Sequence, residues 1–171
     1  MTDRALPAEL DPSTLVILVD QQEKSPADVS PCRTEFAHLA VGDYSLKHLG
    51  NEAVVERKSE ADLLACLGVE RDRFSRQVLR LMGCRHRVLV VESTWERLSA
   101  GGWRSKITPA SVIGSLTGLM ADGLPVALVG DHEQAGRFIS RFFFIVARRR
   151  LRESRGLIGA IAERKKTGGG D

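Results

Sequence analysis

No apolar run in this 171-residue sequence approaches the roughly 18–20 residues that a bilayer-spanning helix needs. The first fourteen residues, MTDRALPAELDPST, are polar with charges of both signs, and they lack the apolar stretch of a secretory signal. Together these absences point to a cytoplasmic protein (nucleoid-associated, or nuclear in a eukaryotic host) with no membrane partner. Cysteine is scarce as well. Cys32, Cys66 and Cys84 are odd in number and widely spaced, which fits neither a disulfide framework nor a zinc site and leaves reduced thiols. The histidines, His38, His48, His86 and His132, also lack the close pairing of metal ligands.

What remains is an ordinary globular composition, 43% hydrophobic and 27% charged, in a chain of single-domain length. The formal charge of +3 hides an asymmetry. Between Arg137 and Lys166 ten basic residues face only Glu153 and Glu163, a local +8, so the rest of the chain carries −5. An acidic body with a basic tail suits a cation site beside a polyanion-binding surface. A solvated basic helix with no ligand satisfies the same count.

The hydrophobic pattern divides the chain into a loose leader (1–14), a folded body (15–150) and a basic, partly disordered tail (151–171). Leu15–Asp20 is an apolar run ending in an acid and reads as a buried strand. Gln21–Arg33, with two prolines, reads as a loop. Phe36–Ala40 and Tyr44–Lys47 are weaker strands around Gly42-Asp43, and Ala53–Lys58 is a further strand after a Gly50-Asn51 turn. The pattern then turns helical. Ser59-x-x-Asp62 opens Glu60–Leu67 as a capping box, Arg71–Met82 carries apolar residues at helical spacing, and Gly83 ends it. His86–Val91 is a strand, Ser93-x-x-Glu96 caps a short helix, and Thr108-Pro109 starts another over Ala110–Ala121. Val126–Val129 is a last strand, and Asp131 caps a helix running to about Arg150. Strands first and strand–helix alternation afterwards predict an α/β fold: one mixed central sheet flanked by helices, in a single domain.

Polar residues at the ends of the apolar strands carry the chemistry. Side chains alternate along a strand, so Glu56 and Lys58 share a face and Arg57 takes the other. Asp43 begins the adjacent strand, while Asp20 ends the neighbouring run with Glu23 three residues on. Four carboxylates brought together repel strongly unless a divalent cation neutralises them, and magnesium or manganese suits oxygen ligands. Such a grouping serves phosphodiester hydrolysis: carboxylates hold the cation, while a lysine orients or deprotonates water or steadies developing charge. A salt-bridge cluster on strand ends is the other reading of the same spacing.

These residues resemble a known family. Val19-Asp20-x-x-Glu23, Val41-Gly42-Asp43-Tyr44 and Val55-Glu56-Arg57-Lys58-x-x-x-Asp62 are similar, in order and spacing, to the G-D…E-R-K-x-x-x-D signature of XPF-type structure-specific endonuclease domains. Arg73-Phe74-x-x-Gln77 and Val88–Glu92 continue the likeness, which runs from about Leu15 to Ile145. The resemblance implies a restriction-endonuclease-like fold and a magnesium- or manganese-dependent DNA endonuclease acting at branches, flaps or junctions. It implies that Asp20, Glu23, Asp43 and Glu56 bind or organise the metal, and that Lys58 and Arg57 belong to the catalytic motif. Asp62 fits the motif but is explained by its capping role. Gln22 stands where the family usually has arginine, and the chain has no room for the tandem helix-hairpin-helix domain that members commonly add.

Arg73 and Gln77 lie one turn apart on a helix, placed to contact phosphate or to form a plain exposed face. Ser99–Lys106 offers Trp103 for stacking on a base with Arg104 and Lys106 on phosphates, or for packing into the core. The helix from Glu133 carries apolar residues too broadly for one buried stripe. In the resembled family this region is a dimer interface, so a homodimer through 133–147 is expected. Two other functions share the pattern: a catalytically silent DNA-binding scaffold of the same fold, and a sequence-specific restriction enzyme.

Overall fold

The computed structural model describes residues 9–167. Its centre is a mixed sheet of six strands: β1 (Val16–Asp20), β2 (Arg33–Ala37), β3 (Tyr44–Leu46), β4 (Ala53–Ser59), β5 (His86–Glu92) and β6 (Val126–Leu128), in the spatial order β2-β1-β3-β4-β5-β6. Strands β1 and β2 are parallel, β3 runs antiparallel to both β1 and β4, and β4, β5 and β6 are mutually parallel. The helices are α1 (Glu60–Leu67), α2 (Arg71–Met82), α3 (Trp95–Ala100), α4 (Pro109–Ala121) and α5 (His132–Thr167). The expected α/β layering is therefore present, with helices on both faces of one sheet.

Strand alternation divides the core in two. Val55, Val88 and Val90 face Ala135, Ile139, Phe143 and Val146 of α5. Val54, Leu89 and Val91 face the opposite side, against Leu63, Leu67, Phe74, Leu81, Val112 and Leu116 of α1, α2 and α4. This is the period-two rule acting on β4 and β5, whose central residues are apolar on both faces because both are covered.

Local signals fix most of the helix starts. Ser59 accepts from the Asp62 amide at 3.1 Å and donates to the Asp62 carboxylate at 2.6 Å, forming the expected cap of α1. Thr108 accepts from the Ser111 amide at 3.2 Å, with Pro109 in the first turn of α4, and Asp131 accepts from the Gln134 amide at 2.8 Å. One cap is displaced: α3 is capped by Thr94, which accepts from Arg97, and not by Ser93, whose hydroxyl donates to Glu60 instead.

Three expectations change. The edge strand β2 covers Arg33–Ala37, not Phe36–Ala40, because its register follows hydrogen bonding to β1 and not its own weak hydrophobicity. Helix α5 does not stop near Arg150 but continues to Thr167, so the segment from 151 is helix and not a loose tail. Arginine, glutamate, leucine and alanine are all good helix formers, so solvation there needs no unfolding. The Arg150 side chain ties this part of the helix to Glu52, and Arg85 meets Glu153. In the leader, Asp11 caps a short 3-10 turn at Pro12–Thr14; residues 1–8 and 168–171 lie outside the described residues. Among the described residues no helix is long and apolar enough to cross a membrane.

Candidate active site

The connection from β2 to β3 places Asp43 between two strands. Its amide donates to Val55 O of β4 and its carbonyl accepts from Asp20 N of β1, each at 2.9 Å. The residue before it has no alternative. Gly42 sits at φ +75°, and a Cβ there would lie 2.9 Å from Val55 O, closer than real contacts allow and in a backbone region that disfavours side chains. The G-D pair is thus a backbone requirement joined to a carboxylate.

On β4, Glu56 is fully buried, with 0% of its surface exposed. One carboxylate oxygen, Oε1, accepts from Lys58 Nζ at 2.6 Å and from Gln77 Nε2 of α2 at 2.5 Å. The other, Oε2, is buried and has no hydrogen-bond partner among the described residues. Burial raises the Glu56 pKa, against the lowering pull of Lys58. Burial likewise raises Asp43, with repulsion from Glu56 adding to it, to about 7. Burial alone would lower Lys58, but Glu56 beside it outweighs that, so its ammonium is held charged.

These oxygens suit a hard divalent cation. Asp43 receives the Arg57 amide at 2.7 Å on Oδ2 alone, and the unpartnered Glu56 oxygen is a buried acceptor that a cation would satisfy. Magnesium is commonly held by one or two carboxylates, with water and phosphate completing its shell. The wider four-carboxylate grouping is not formed. Both Asp20 oxygens are taken by backbone amides, Gln22 N at 2.8 Å and Leu39 N at 2.7 Å. Glu23 Oε1 accepts from Ser25 N at 3.0 Å and from Arg57. No cluster of three or more acidic, histidine or cysteine side chains able to hold a metal occurs among the described residues. Asp20 and Glu23 shape the loops that wall the site.

Arg57, on the other face of β4, joins a separate network. Its guanidinium meets Glu23 at 2.9 Å, Ser25 O at 3.1 Å, Glu92 at 2.5 Å and His132 Nδ1 at 3.2 Å. Glu92 and His132 are in turn 2.7 Å apart. The ends of β4 and β5, the loop after β1 and the start of α5 are pinned together here. Glu92 and His132 escaped the sequence reading, although Glu92 ends an apolar strand as Asp20 does.

An open cleft over Asp43 and Lys58 is rimmed by Lys24, Asp62, Arg73, Gln77 and Arg80. Arg73, Gln77 and Arg80 recur at helical spacing on α2, and Arg80 was not anticipated. Gln77 supports Glu56, whereas Arg73 is exposed and pairs with Glu70 at 3.0 Å. Asp62 serves as the α1 cap. The Trp103 loop stands apart from the cleft. The Trp103 indole donates to Ile107 O at 2.8 Å, and its partly buried ring packs against the α4-side core beneath Arg97, the core-packing alternative of the two readings of this loop. Arg104 and Lys106 are exposed outside the cleft lining.

The ERCC4 domain model matches residues 19–142, which takes in every element of this site. The chain belongs to the ERCC4 domain family. Members of that family are generally nucleases. Among solved structures, XPF from Aeropyrum pernix in complex with DNA superposes with a TM-score of 0.62 at 20% identity, covering 78% of this chain and 66% of that one. A second structure of Aeropyrum pernix XPF gives 0.61 at 20% identity, covering 74% and 59%. These likenesses show a shared fold, and the chain spans less than two thirds of the length of either XPF protein. No curated protein sequence matches it significantly.

The ERCC4 site carries a stability cost that titrates. An unfolded aspartic acid loses its proton near pH 3.9, whereas native Asp43 holds it to about 7. Between those values the native state binds the extra proton, so this group's contribution makes stability fall as pH rises through the window. In chelator at pH 8, Asp43→Asn is therefore expected to unfold at a higher temperature than wild type, with the gap closing toward pH 4. Equal melting temperatures at pH 8 would contradict the burial assigned to Asp43.

Proposed function

We propose that this chain is a divalent-metal-dependent DNA endonuclease acting on branched, flap or junction DNA, as in repair or recombination. The observation that carries the proposal is the buried Glu56 carboxylate, fixed through one oxygen by Lys58 and Gln77, with its other oxygen unpartnered among the described residues and its charge felt by Asp43. Asp43 and Glu56 would hold magnesium or manganese, which supplies polarisation of a phosphate and a more acidic water.

The chain's own residues do the rest. The Arg57 amide turns Asp43 so that Oδ2 is occupied, and Gln77 and Lys58 do the same for Glu56 Oε1. Because these contacts are already made, little rearrangement is needed when a phosphate arrives. The Lys58 ammonium would steady the charge that builds on that phosphate. Lys24, Arg73 and Arg80 around the cleft attract the DNA strand. DNA is the polyanion bound in the Aeropyrum pernix XPF complex. The presence of Asp43, Glu56 and Lys58 together, with Lys58 paired to Glu56 and Asp43 near enough to feel both charges, favours cutting over a silent scaffold.

A homodimer belongs to the same proposal, with its contact proposed farther along α5 than 133–147. Much of the apolar width expected of 133–147 is used up by the sheet, with Ile139, Phe143 and Val146 buried and Phe138 and Phe142 packed on the core. The large apolar side chains left exposed on α5 are Leu157, Ile158 and Ile161, farther along. Light scattering should give a dimer for wild type and a monomer for Leu157→Glu/Ile161→Glu; a wild-type monomer at micromolar concentration would remove the dimer from the proposal.

Activity is tested on labelled flap, fork, Holliday-junction and linear DNA, with magnesium, manganese or chelator. Cutting of branched DNA should need metal and fall by about a hundredfold or more in Asp43→Asn, Glu56→Gln and Lys58→Ala. Cutting that survives these changes refutes the site. Metal-dependent binding of branched DNA with no cutting in any condition makes the chain a scaffold.

A further inference from the structure

Helix α5 carries two kinds of arginine. Arg150 is committed to Glu52 and Glu153, and Arg137 to Glu133. Arg141, Arg148 and Arg152 are exposed and enter no ion pair among the described residues. At 3.6 residues per turn these three fall within about 40° of one another around the helix axis and span roughly 16 Å along it. They point away from the buried face formed by Ala135, Ile139, Phe143 and Val146. Glu153, the one acid between Arg141 and Arg152 or next to them, lies toward Arg85 and Arg150 on another side.

Between the first two sits Phe144. The guanidinium carbons of Arg141 and Arg148 each lie 5.7 Å from the centre of its ring. An aromatic ring flanked by two cations holds both in place by cation–π attraction, so less side-chain freedom is lost when an anion binds. The result is a narrow, solvent-facing file of positive charge in which the ring steadies two of the three cations.

We infer that this arginine file is a second nucleic-acid contact, which binds the phosphate backbone of one duplex arm while the cleft engages another. The inference rests on the DNA-nuclease reading and deepens it. The cleft lies on the α2 side of the sheet and the file on the outer side of α5, across the sheet from it. The opposite placement assigns a straight duplex to the cleft alone and a second arm, leaving a branch, to the file. Helix α5 starts at the cleft's edge, where His132 meets Glu92 and Arg57, and so leads away from the branch point. A second copy is a poor occupant, because a two-fold contact sets like charges against each other. A membrane surface needs apolar residues beside the basic ones, and the exposed Leu157, Ile158 and Ile161 lie beyond the file on a different side of the helix.

The test is fluorescence anisotropy in chelator, so that no cutting is required, with a forked duplex and a linear duplex of equal length across a salt series. In Arg141→Gln/Arg148→Gln/Arg152→Gln the fork should lose about tenfold in affinity, and its log–log salt slope should fall by nearly 3, the loss of about three phosphate contacts. Linear duplex should change less than about threefold. The triple lysine variant should keep the salt slope, which a merely structural role of arginine would not require. Unchanged fork binding and slope would overturn the inference. So would equal losses on fork and linear DNA, a change in oligomeric state, or binding that the arginines confer only on phosphatidylserine vesicles. If wild type cuts nothing with metal but the fork-selective loss is seen, the arginine file stands and the nuclease reading falls.

Discussion

A carboxylate with no exposure to water is the constraint around which this chain is organised. Removing an ionised carboxylate from water is expensive unless it is paired and hydrogen-bonded, and Glu56 is only half provided for. Lys58 and Gln77 satisfy Oε1, and Oε2 has no partner among the described residues. Asp43 stands close enough for Glu56 to raise its pKa further. A fold selected for stability alone would not place two carboxylates this way. Strained electrostatics of this kind gather at functional sites, and a divalent cation would relieve both groups at once.

The surrounding structure follows from holding that carboxylate still. Strand β4 shows its alternate side chains to two sides, so one segment builds two networks. Glu56 and Lys58 face α2 and the cleft, and Arg57 faces the loop after β1, the end of β5 and the start of α5. The Arg57 backbone amide also fixes Asp43, which links the two networks through a single residue. Gly42 allows the chain to pass close to β4 at the position where Asp43 must turn inward. The outer side of α5, with its file of arginines, stands apart from this machinery.

Much of this was legible because local rules and tertiary demands agree. Helix α2 ends where Gly83 predicts, α1 starts at its Ser59–Asp62 cap, and strand alternation separates Arg57 from Glu56 and Lys58 as expected. Spacing is silent where hydrogen bonds within the fold engage a polar side chain. Spacing places Asp20 and Glu23 near the site but does not say that backbone amides bond both Asp20 oxygens or that Arg57 pairs with Glu23 Oε1. Trp103 has the composition of a nucleic-acid loop, yet its indole proton is used within the loop itself. Polarity after Leu151 reads as a tail because sequence patterning detects helices by their buried stripe, and this part of α5 keeps its apolar residues exposed.

The central claim is that Asp43 and Glu56, without Asp20 and Glu23, form the cation site. Anomalous diffraction from crystals soaked in manganese tests it directly. A manganese peak should lie between the Asp43 and Glu56 carboxylates in wild type, remain in Asp20→Asn and vanish in Glu56→Gln. A peak ligated by Asp20 or Glu23, or one that persists in Glu56→Gln, would contradict the account.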